Sequence, residues 1–452
     1  MTSIQGPGTL DDRLDNLPVG PMHRRVVIAV GLGLFFEVYE IFLSSTISTA
    51  LKTQYGLGGT TLQLLMASSF VGMFFGAAIF GRMADRIGRR RAFLVNLVWF
   101  SVWSLVGALA PNPAILVAAR FMAGVGIGAE YPVADSYLSD VLPKAHRGRL
   151  AAWAYTCSFL AVPALGFASL GLTGRSVFGV EGWRLLLVIG AAGALLVMQM
   201  RRALPESPRW LARVGRLEEA QAALRRFEGA DIHEVADIGV RPVSAPAKPT
   251  NPFARLSQRP YRGRLAMLAV FHLFQPFGYY GFGTLAGLVL VSRGYDVTSS
   301  LLFTALSFLG YPIGSALSIP LLKLFERKYL VVVSVAAMAL CGIVFAVVSY
   351  PALIVLFGFL TTAASNVFSN FYHVYQAEIF PSDVRATAVG WTYSVSRLSS
   401  AVLPFVLIPV LDMYGATVMF GVVLVALTLV IAVVLPLGPK TTGRSLDEIN
   451  PV

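Results

Sequence analysis

Charge is what this chain has least of. Asp, Glu, Lys and Arg make up only 13% of its 452 residues, where a soluble globular domain carries about 25%. So few charges cannot clothe a surface in water. Cysteine is scarcer still, with only Cys157 and Cys341. Both lie inside apolar runs, which makes them small packing residues and argues against a structural disulfide. The sequence has no P-loop, no G-x-S-x-G, no H-E-x-x-H and no cysteine pair for a metal. Those gaps argue against an enzyme, an ATP-driven pump, a cofactor and a metal centre. The stretch ahead of the first apolar run is polar and includes Asp11, Asp12 and Asp15, so no cleavable signal peptide is expected and that run serves as its own insertion signal. What the chain has in abundance is apolar surface, with 56% hydrophobic residues and a mean hydropathy of +0.69. An all-α integral membrane protein follows.

The net charge of +12 does not signal nucleic acid. Its basic residues fall in short clusters between apolar runs, as the positive-inside rule expects of cytoplasmic loops. A bilayer crossing takes about 20 apolar residues, and twelve candidate spans satisfy that length. Six start near Val26, Leu62, Ala92, Ala114, Leu150 and Arg184; six more start near Leu265, Ser299, Tyr329, Pro351, Ala386 and Ala416. Arg24 and Arg25 precede the first span, Arg82, Arg86 and Arg89 to Arg91 follow the second, and Lys144, Arg147 and Arg149 follow the fourth. The alternate connections, at 111–113 and at 350–351, carry no positive charge. Both termini and the central polar segment are therefore expected in the cytoplasm.

The expected organisation is a six-helix half over 1–204, a cytoplasmic loop over 205–264, a second six-helix half over 265–436 and a cytoplasmic tail over 437–452. Residues 211–227 of the loop read as one amphipathic helix, and the Pro- and Ala-rich 241–251 as a linker. The halves repeat each other. DVLPKAHRG at 140–148 and EIFPSDVRA at 378–386 each place an acid, a proline three positions on and an arginine seven positions on. The two stretches stand about half the chain apart. Such a match argues for duplication of a six-helix unit about an axis along the membrane normal.

Inside the first apolar run lie Glu37 and Glu40. Three positions apart, they share one helix face, and each costs roughly 2.5–3.5 kcal/mol at a bilayer centre on insertion scales. A site for a proton, an ion or a cationic partner in a transport path explains their presence better than lipid contact does; helix packing is the alternative.

Stretches along the whole chain resemble the major facilitator superfamily. GRMADRIGRRR at 81–91 resembles its G-x-x-x-D-R-x-G-R-R signature, although the second-half counterpart LLKLFERKYL at 321–330 lacks the Gly and the Asp. RFMAGVGIGAEYPVA at 120–134 resembles the R-x-x-x-G-x-G-x-G pattern of its transporters. PESPRW at 205–210 is similar to a signature of the sugar-porter and organic-ion branches, and LGPKTTGRSLDEI at 437–449 to their P-E-T-K-G-x-S-L-E-E-I ending, with Gly438 where the acid would fall. EVYE at 37–40 resembles the D-G-F-D signature of aromatic-acid (or niacin-type) and metabolite proton symporters, with Glu for Asp twice and Val38 for Gly. Sugar porters fit less well. Their paired glutamines in the seventh span reduce here to Gln275, and the fifth span has none.

The resemblance implies twelve transmembrane helices in two halves and transport by alternating access. It assigns Asp85, Arg86 and Arg90 to a latch of the outward-open state. It also makes Asp140–Arg147 and Glu378–Arg385, with Glu206 and Arg209, an inner gating network.

Depth along the helices groups the site residues. At 1.5 Å per residue, Glu40 lies roughly 21 Å from the cytoplasmic end of its span, and Arg120, entering from outside, comes to about the same level in a core of about 30 Å. Glu37, Arg397 and Gln275 fall near the midplane. A central cavity is expected, with Glu37, Glu40 and Arg120 from the first half facing Gln275 and Arg397 from the second. Each arginine there needs an acid or an anionic substrate. Two carboxylates so close cannot both ionise cheaply, so one is expected to carry the coupling proton. Tyr39, Tyr279, Tyr280, Trp391 and Tyr393 would supply rings to stack an aromatic cargo. Glu130, Asp135 and His272 are further candidates for the proton path, with gating or core packing as the alternative. Asn366, Asn370 and His373 share one face of the tenth span, either in the inner vestibule or bonding neighbouring helices.

The leading expectation is proton-coupled uptake of a small organic acid, with aromatic or heterocyclic carboxylates among the candidate cargoes. Alternatives are proton-coupled efflux of drugs or metabolites, a sugar-type porter, and a sensor that binds without translocating. The expected partners are a small-molecule substrate, protons and the lipid bilayer, for a monomer in the cell (inner) membrane.

Overall fold

The computed structural model describes residues 10–128, 130–229, 252–442, 444 and 446–450. The expected linker at 241–251 lies outside them.

Apolar periodicity ends where helix stop signals stand. The first span is Pro21–Tyr55 and the second Gly59–Ile87, followed by the third, Arg89–Ala108. The fourth consists of Pro113–Ile127 and Glu130–Val141, the fifth of Arg147–Phe159 and Ala161–Leu172, and the sixth is Gly182–Arg202. In the second half come Tyr261–Ser292, the pair Val297–Phe308 and Gly310–Leu324, Arg327–Val347 and Pro351–Glu378. The helix Ser382–Leu437 contains the last two spans, divided at Gly415, whose φ of 80° and ψ of 178° are not helical. Among the described residues ten helices, one of them this double one, are long and apolar enough to cross a membrane. The seventh, Tyr261–Ser292, has the length, with 32 residues, but a polar middle of Gln275, Gly278, Tyr279 and Tyr280. Counting it and dividing the helix at Gly415, twelve stretches have the length of a span.

Caps set the helix starts. Asn112 Oδ1 accepts from Ile115 N at 3.0 Å ahead of Pro113, and Asp296 Oδ2 accepts from Ser299 N at 3.0 Å, each satisfying a free helix N–H. Between the halves the expected single amphipathic helix is two, Pro208–Arg213 and Leu217–Glu228. Gly215, at φ +81°, breaks it, because a left-handed residue cannot continue a helix. A small hairpin, Ser176–Val177 with Val180–Glu181, joins the fifth and sixth spans.

The duplication extends to packing. Cβ atoms at Gly72 and Gly76 of the second span would each lie 2.0 Å from a backbone oxygen of the fourth, at Phe121 and Val125. Gly310 and Gly314 are their counterparts at the offset that relates Asp140 to Glu378, and they meet Phe359 O at 2.3 Å and Ala363 O at 2.2 Å in the same way. The glycines of the fourth-span motif serve the same contact, since Cβ atoms at Gly124 and Gly128 would lie 2.2 Å from Ser69 O and 2.1 Å from Met73 O. Glycine is needed here so that two helix backbones can touch. This close seating brings Arg120, one turn before Gly124, into the core of the first half.

Candidate functional site

A cavity of about 610 Å³ lies between the halves. Arg149 and Arg327 line it where it meets the face carrying the arginine-rich loops. The opposite end is shut by rings from both halves: Phe42 packs on Phe308 and Tyr311 at 6.0 and 5.5 Å, and Phe159 stacks on Tyr311 at 6.2 Å. Beyond this plug Lys52 Nζ and Asp412 Oδ1 stand 3.1 Å apart. Among the described residues that is the one ion pair joining the halves. The chain is thus open toward its arginine-rich face and closed at the other.

Of the residues expected to bind substrate, Gln275, Tyr279, Tyr280, Tyr393 and Arg397 line the cavity. Three do not. Tyr39 is buried against the sixth span and donates to Leu186 O at 3.0 Å. Trp391 is 50% exposed; two positions before Tyr393, it sits on the outward side of its helix. Arg120 is fully buried and turned to Glu40 instead of the cavity.

The Arg120–Glu40 pair is completely furnished. Arg120 Nη1 pairs with Glu40 Oε2 at 2.5 Å, Nη2 donates to Glu40 O at 2.6 Å, and Nε donates to Ser44 Oγ at 3.0 Å. Ser104 Oγ donates to the second carboxylate oxygen at 2.8 Å. A buried ion pair is stable only when its remaining groups are satisfied in this way. Glu37, one turn along, is fully buried too, but neither of its oxygens has a hydrogen-bond partner among the described residues. An anion in that position is costly.

A second buried pair escaped the sequence reading. Glu130 Oε1 meets Arg201 Nη1 of the sixth span, and Arg201 also donates to Ala29 O at 3.2 Å and lies 4.2 Å from the centre of the Phe93 ring. Arg201 stands in the run MQMRR, which reads as the charged end of a span. The seat is tight, since a Cβ at Gly33 would lie 1.7 Å from Arg201 Nη2, but only the structure shows that contact. Asp135 lines the cavity. His272 is fully buried, with Gln376 as its partner at 3.0 Å.

Arg397 has a different setting. It is 3% exposed, its Nη2 donates to Tyr393 Oη at 3.1 Å and its Nη1 to Tyr280 Oη at 3.3 Å. Its Nε has no partner, and no carboxylate pairs with it among the described residues. The cavity's charged lining is Arg149, Arg327 and Arg397 against Asp135 alone.

The gating pairs differ from expectation. Asp140 meets Arg89 at 3.9 Å and accepts from Ser207 Oγ at 2.8 Å, while Arg147 and Arg209 both reach Asp15, at 2.9 and 2.7 Å. Glu378 pairs with Arg327 at 2.9 Å. Neither Asp140–Arg147 nor Glu378–Arg385 forms, because each arginine turns back onto its own loop, Arg147 to Leu142 O and Arg385 to Phe380 O, both at 3.2 Å. Glu206 accepts from the backbone N–H groups of Arg89 and Arg90 at 2.9 and 3.0 Å, capping the third span. Arg90 donates to Arg202 O and Arg86 is exposed; the Asp85 side chain lies outside the described residues. Arg89–Asp140 and Arg327–Glu378 are the same pair repeated in the two halves, at matching positions. Asn366 bonds Tyr311 O at 2.6 Å, and Asn370 bonds Ser318 Oγ at 2.6 Å, so both join the tenth span to the eighth.

Known proteins share this arrangement. The pattern of the sugar (and other) transporter family matches residues 26–452. The niacin transporter NiaP of Acinetobacter baylyi is 28% identical over 446 residues, 98% of this chain and 99% of that one. The inner membrane metabolite transport protein YgcS of Escherichia coli is 28% identical over 403 residues, 87% of each chain. In fold, the partially occluded inward-open xylose transporter XylE of E. coli superposes with a TM-score of 0.73 at 20% identity, over 94% of this chain and all of that one. Two duplicated helical halves around a central cavity, together with a family match along nearly the whole length, place the chain in the sugar (and other) transporter family of the major facilitator superfamily, as a multi-pass membrane transporter and not an enzyme.

Proposed function

We propose that this transporter couples proton entry to the uptake of a small aromatic or heterocyclic carboxylate across the cell (inner) membrane, with both termini cytoplasmic. The observation that carries the reading is Arg397, a cation in the cavity wall with no acidic partner among the described residues and a free Nε–H. A guanidinium in that state is completed by a carboxylate. Tyr131, Tyr155, Tyr279, Tyr280, Tyr372 and Tyr393 provide rings around it. With Arg327 paired to Glu378, Arg149 and Arg397 stand against Asp135 in the lining, which favours an anion over the cationic drug of an efflux pump. A polyol would need more free amides than the lining offers, since Gln275, Asn370 and Gln376 already bond within the protein. The niacin transport named for one relative agrees with an aromatic acid.

Coupling is assigned to Glu40 with Arg120, and to Glu37 beside them. A proton on Glu40 removes the counter-charge of Arg120, so the first span and the fourth are held differently in the two protonation states, which biases a two-state equilibrium. The capping and latch residues at the arginine-rich face, Glu206, Asp140, Arg147, Arg209, Glu378 and Arg385, brace each half as a unit while the halves rock.

Uptake of labelled aromatic acids into proteoliposomes, acidic outside, tests the reading. Accumulation above equilibrium that collapses when the pH gradient is dissipated is the expected result. Exchange unaffected by the gradient would remove the coupling, and failure of every aromatic acid to compete would remove the cargo.

A further inference from the structure

One wall of the cavity contains a chain of hydrogen bonds that neither coupling nor carboxylate capture uses. His272 Nε2 lies 3.0 Å from Gln376 Oε1, and Gln376 Nε2 lies 3.3 Å from His373 Nδ1. An amide oxygen only accepts, so the hydrogen of His272 is on Nε2; an amide nitrogen only donates, so Nδ1 of His373 is bare. A neutral imidazole with a bare Nδ1 carries its hydrogen on Nε2. That Nε2–H has no described protein partner, and the His373 side chain is exposed into the cavity it lines. Its ring is held in place, with Tyr372 stacked on it at 4.3 Å between centres. Gln376 itself is 4% exposed and His272 fully buried. Packing alone would not require a buried amide and a second histidine to hold one tautomer of a cavity-facing ring.

The carboxylate site is close by. Tyr393 lies beside both groups, with its ring centre 6.1 Å from that of His373 and 5.0 Å from the guanidinium carbon of Arg397. Donor and cation thus flank one aromatic ring against which a planar ligand can lie.

We propose that His373 is a specificity-determining residue, presenting a fixed Nε2–H to a hydrogen-bond acceptor in the ring of a heteroaromatic carboxylate held by Arg397. The class is an acid whose ring carries a pyridine-type nitrogen, preferred over the all-carbon ring of the same shape. Gln376 is the positioning residue, with His272 as its anchor. The inference rests on the reading of the cavity as an aromatic-acid site.

Calorimetric titration of the full-length protein with benzoate and with pyridine-3-carboxylate tests it, since the two differ by one ring atom. The wild-type protein is expected to bind the pyridine acid roughly tenfold tighter, the effect of one well-made hydrogen bond. His373→Phe should bring that ratio to about one while shifting benzoate affinity less than about twofold. Gln376→Leu should lower the ratio as well, and it carries the test should His373→Phe not fold. A ratio near one in the wild-type protein, or one that survives in both variants, overturns the proposal and leaves the carboxylate site standing. If neither acid binds the wild-type protein, the aromatic-acid reading fails, and this inference with it.

Discussion

The two halves of this transporter have one architecture and opposite chemistry. Their glycine contacts and latch pairs recur at one constant offset along the chain, from Gly72 and Gly310 to Arg89–Asp140 and Arg327–Glu378. Their buried polar groups do not. The first half buries Glu37, Glu40 and Glu130 with Arg120 and Arg201; the second, among the described residues, buries no acid in its core and holds Arg397 amid histidine, amides and tyrosines. The difference reaches single positions. Where Gly124 and Gly128 let the fourth span touch Ser69 O and Met73 O, the counterparts Thr362 and Asn366 donate to Ser307 O and Tyr311 O, both at 2.6 Å. Arg120 itself corresponds to Gly358. The halves share the frame and differ in their buried polar groups, and the proposed division between protons and substrate rests on that difference.

The comparison breaks most severely if its charge pair is cut. Arg120→Ala leaves Glu40 as an uncompensated buried charge, and a loss of about 3–5 kcal/mol is expected, read as a lowered melting temperature in detergent. Replacing both partners by neutral residues should recover much of it. A melt unchanged in the single variant would mean that the first half does not depend on this pair.

Next comes the backbone contact. Gly124→Thr copies the second half's residue into the first, but its Cβ would lie 2.2 Å from Ser69 O. Such overpacking costs about 1–3 kcal/mol. Thr362→Ala loses one hydrogen bond, about 1 kcal/mol. Equal melting temperatures for the two variants would show that the halves tolerate the same residue here.

The smallest effect is at the closed end. Lys52–Asp412 is solvent-exposed, and exposed pairs contribute about 0–1 kcal/mol. Lys52→Ala should leave the melting temperature nearly unchanged, while labelling of a cysteine placed near the Phe42–Tyr311 plug rises by no more than about fivefold, the population shift that such an energy permits. A large rise would make this contact a principal gate.

Much of this was legible in the sequence, because a bilayer leaves few choices. Apolar length and loop charge give the spans, and the 140–148 and 378–386 repeat gives the halves. Depth arithmetic put Glu40 and Arg120 at one level, where they meet. Facing was not legible. Tyr39 and Trp391 have the right depth and the wrong side of their helices, and depth along one axis carries no information about rotation around it. Pairing of long arginines was not legible either. Arg147 reaches Asp15 in the short helix Leu10–Asn16, and Arg201 crosses to Glu130, contacts set by which spans adjoin. The His272–Gln376–His373 chain was visible only as separate polar residues in two spans.

The division of labour is tested most directly by measuring Glu40→Gln and Arg397→Gln side by side in proteoliposomes, for gradient-driven accumulation and for gradient-free exchange of the same aromatic acid. Glu40→Gln should abolish accumulation yet retain exchange, and Arg397→Gln should lose both. Accumulation that persists in Glu40→Gln, or exchange that persists undiminished in Arg397→Gln, would contradict the assignment of protons to the first half and substrate to the second.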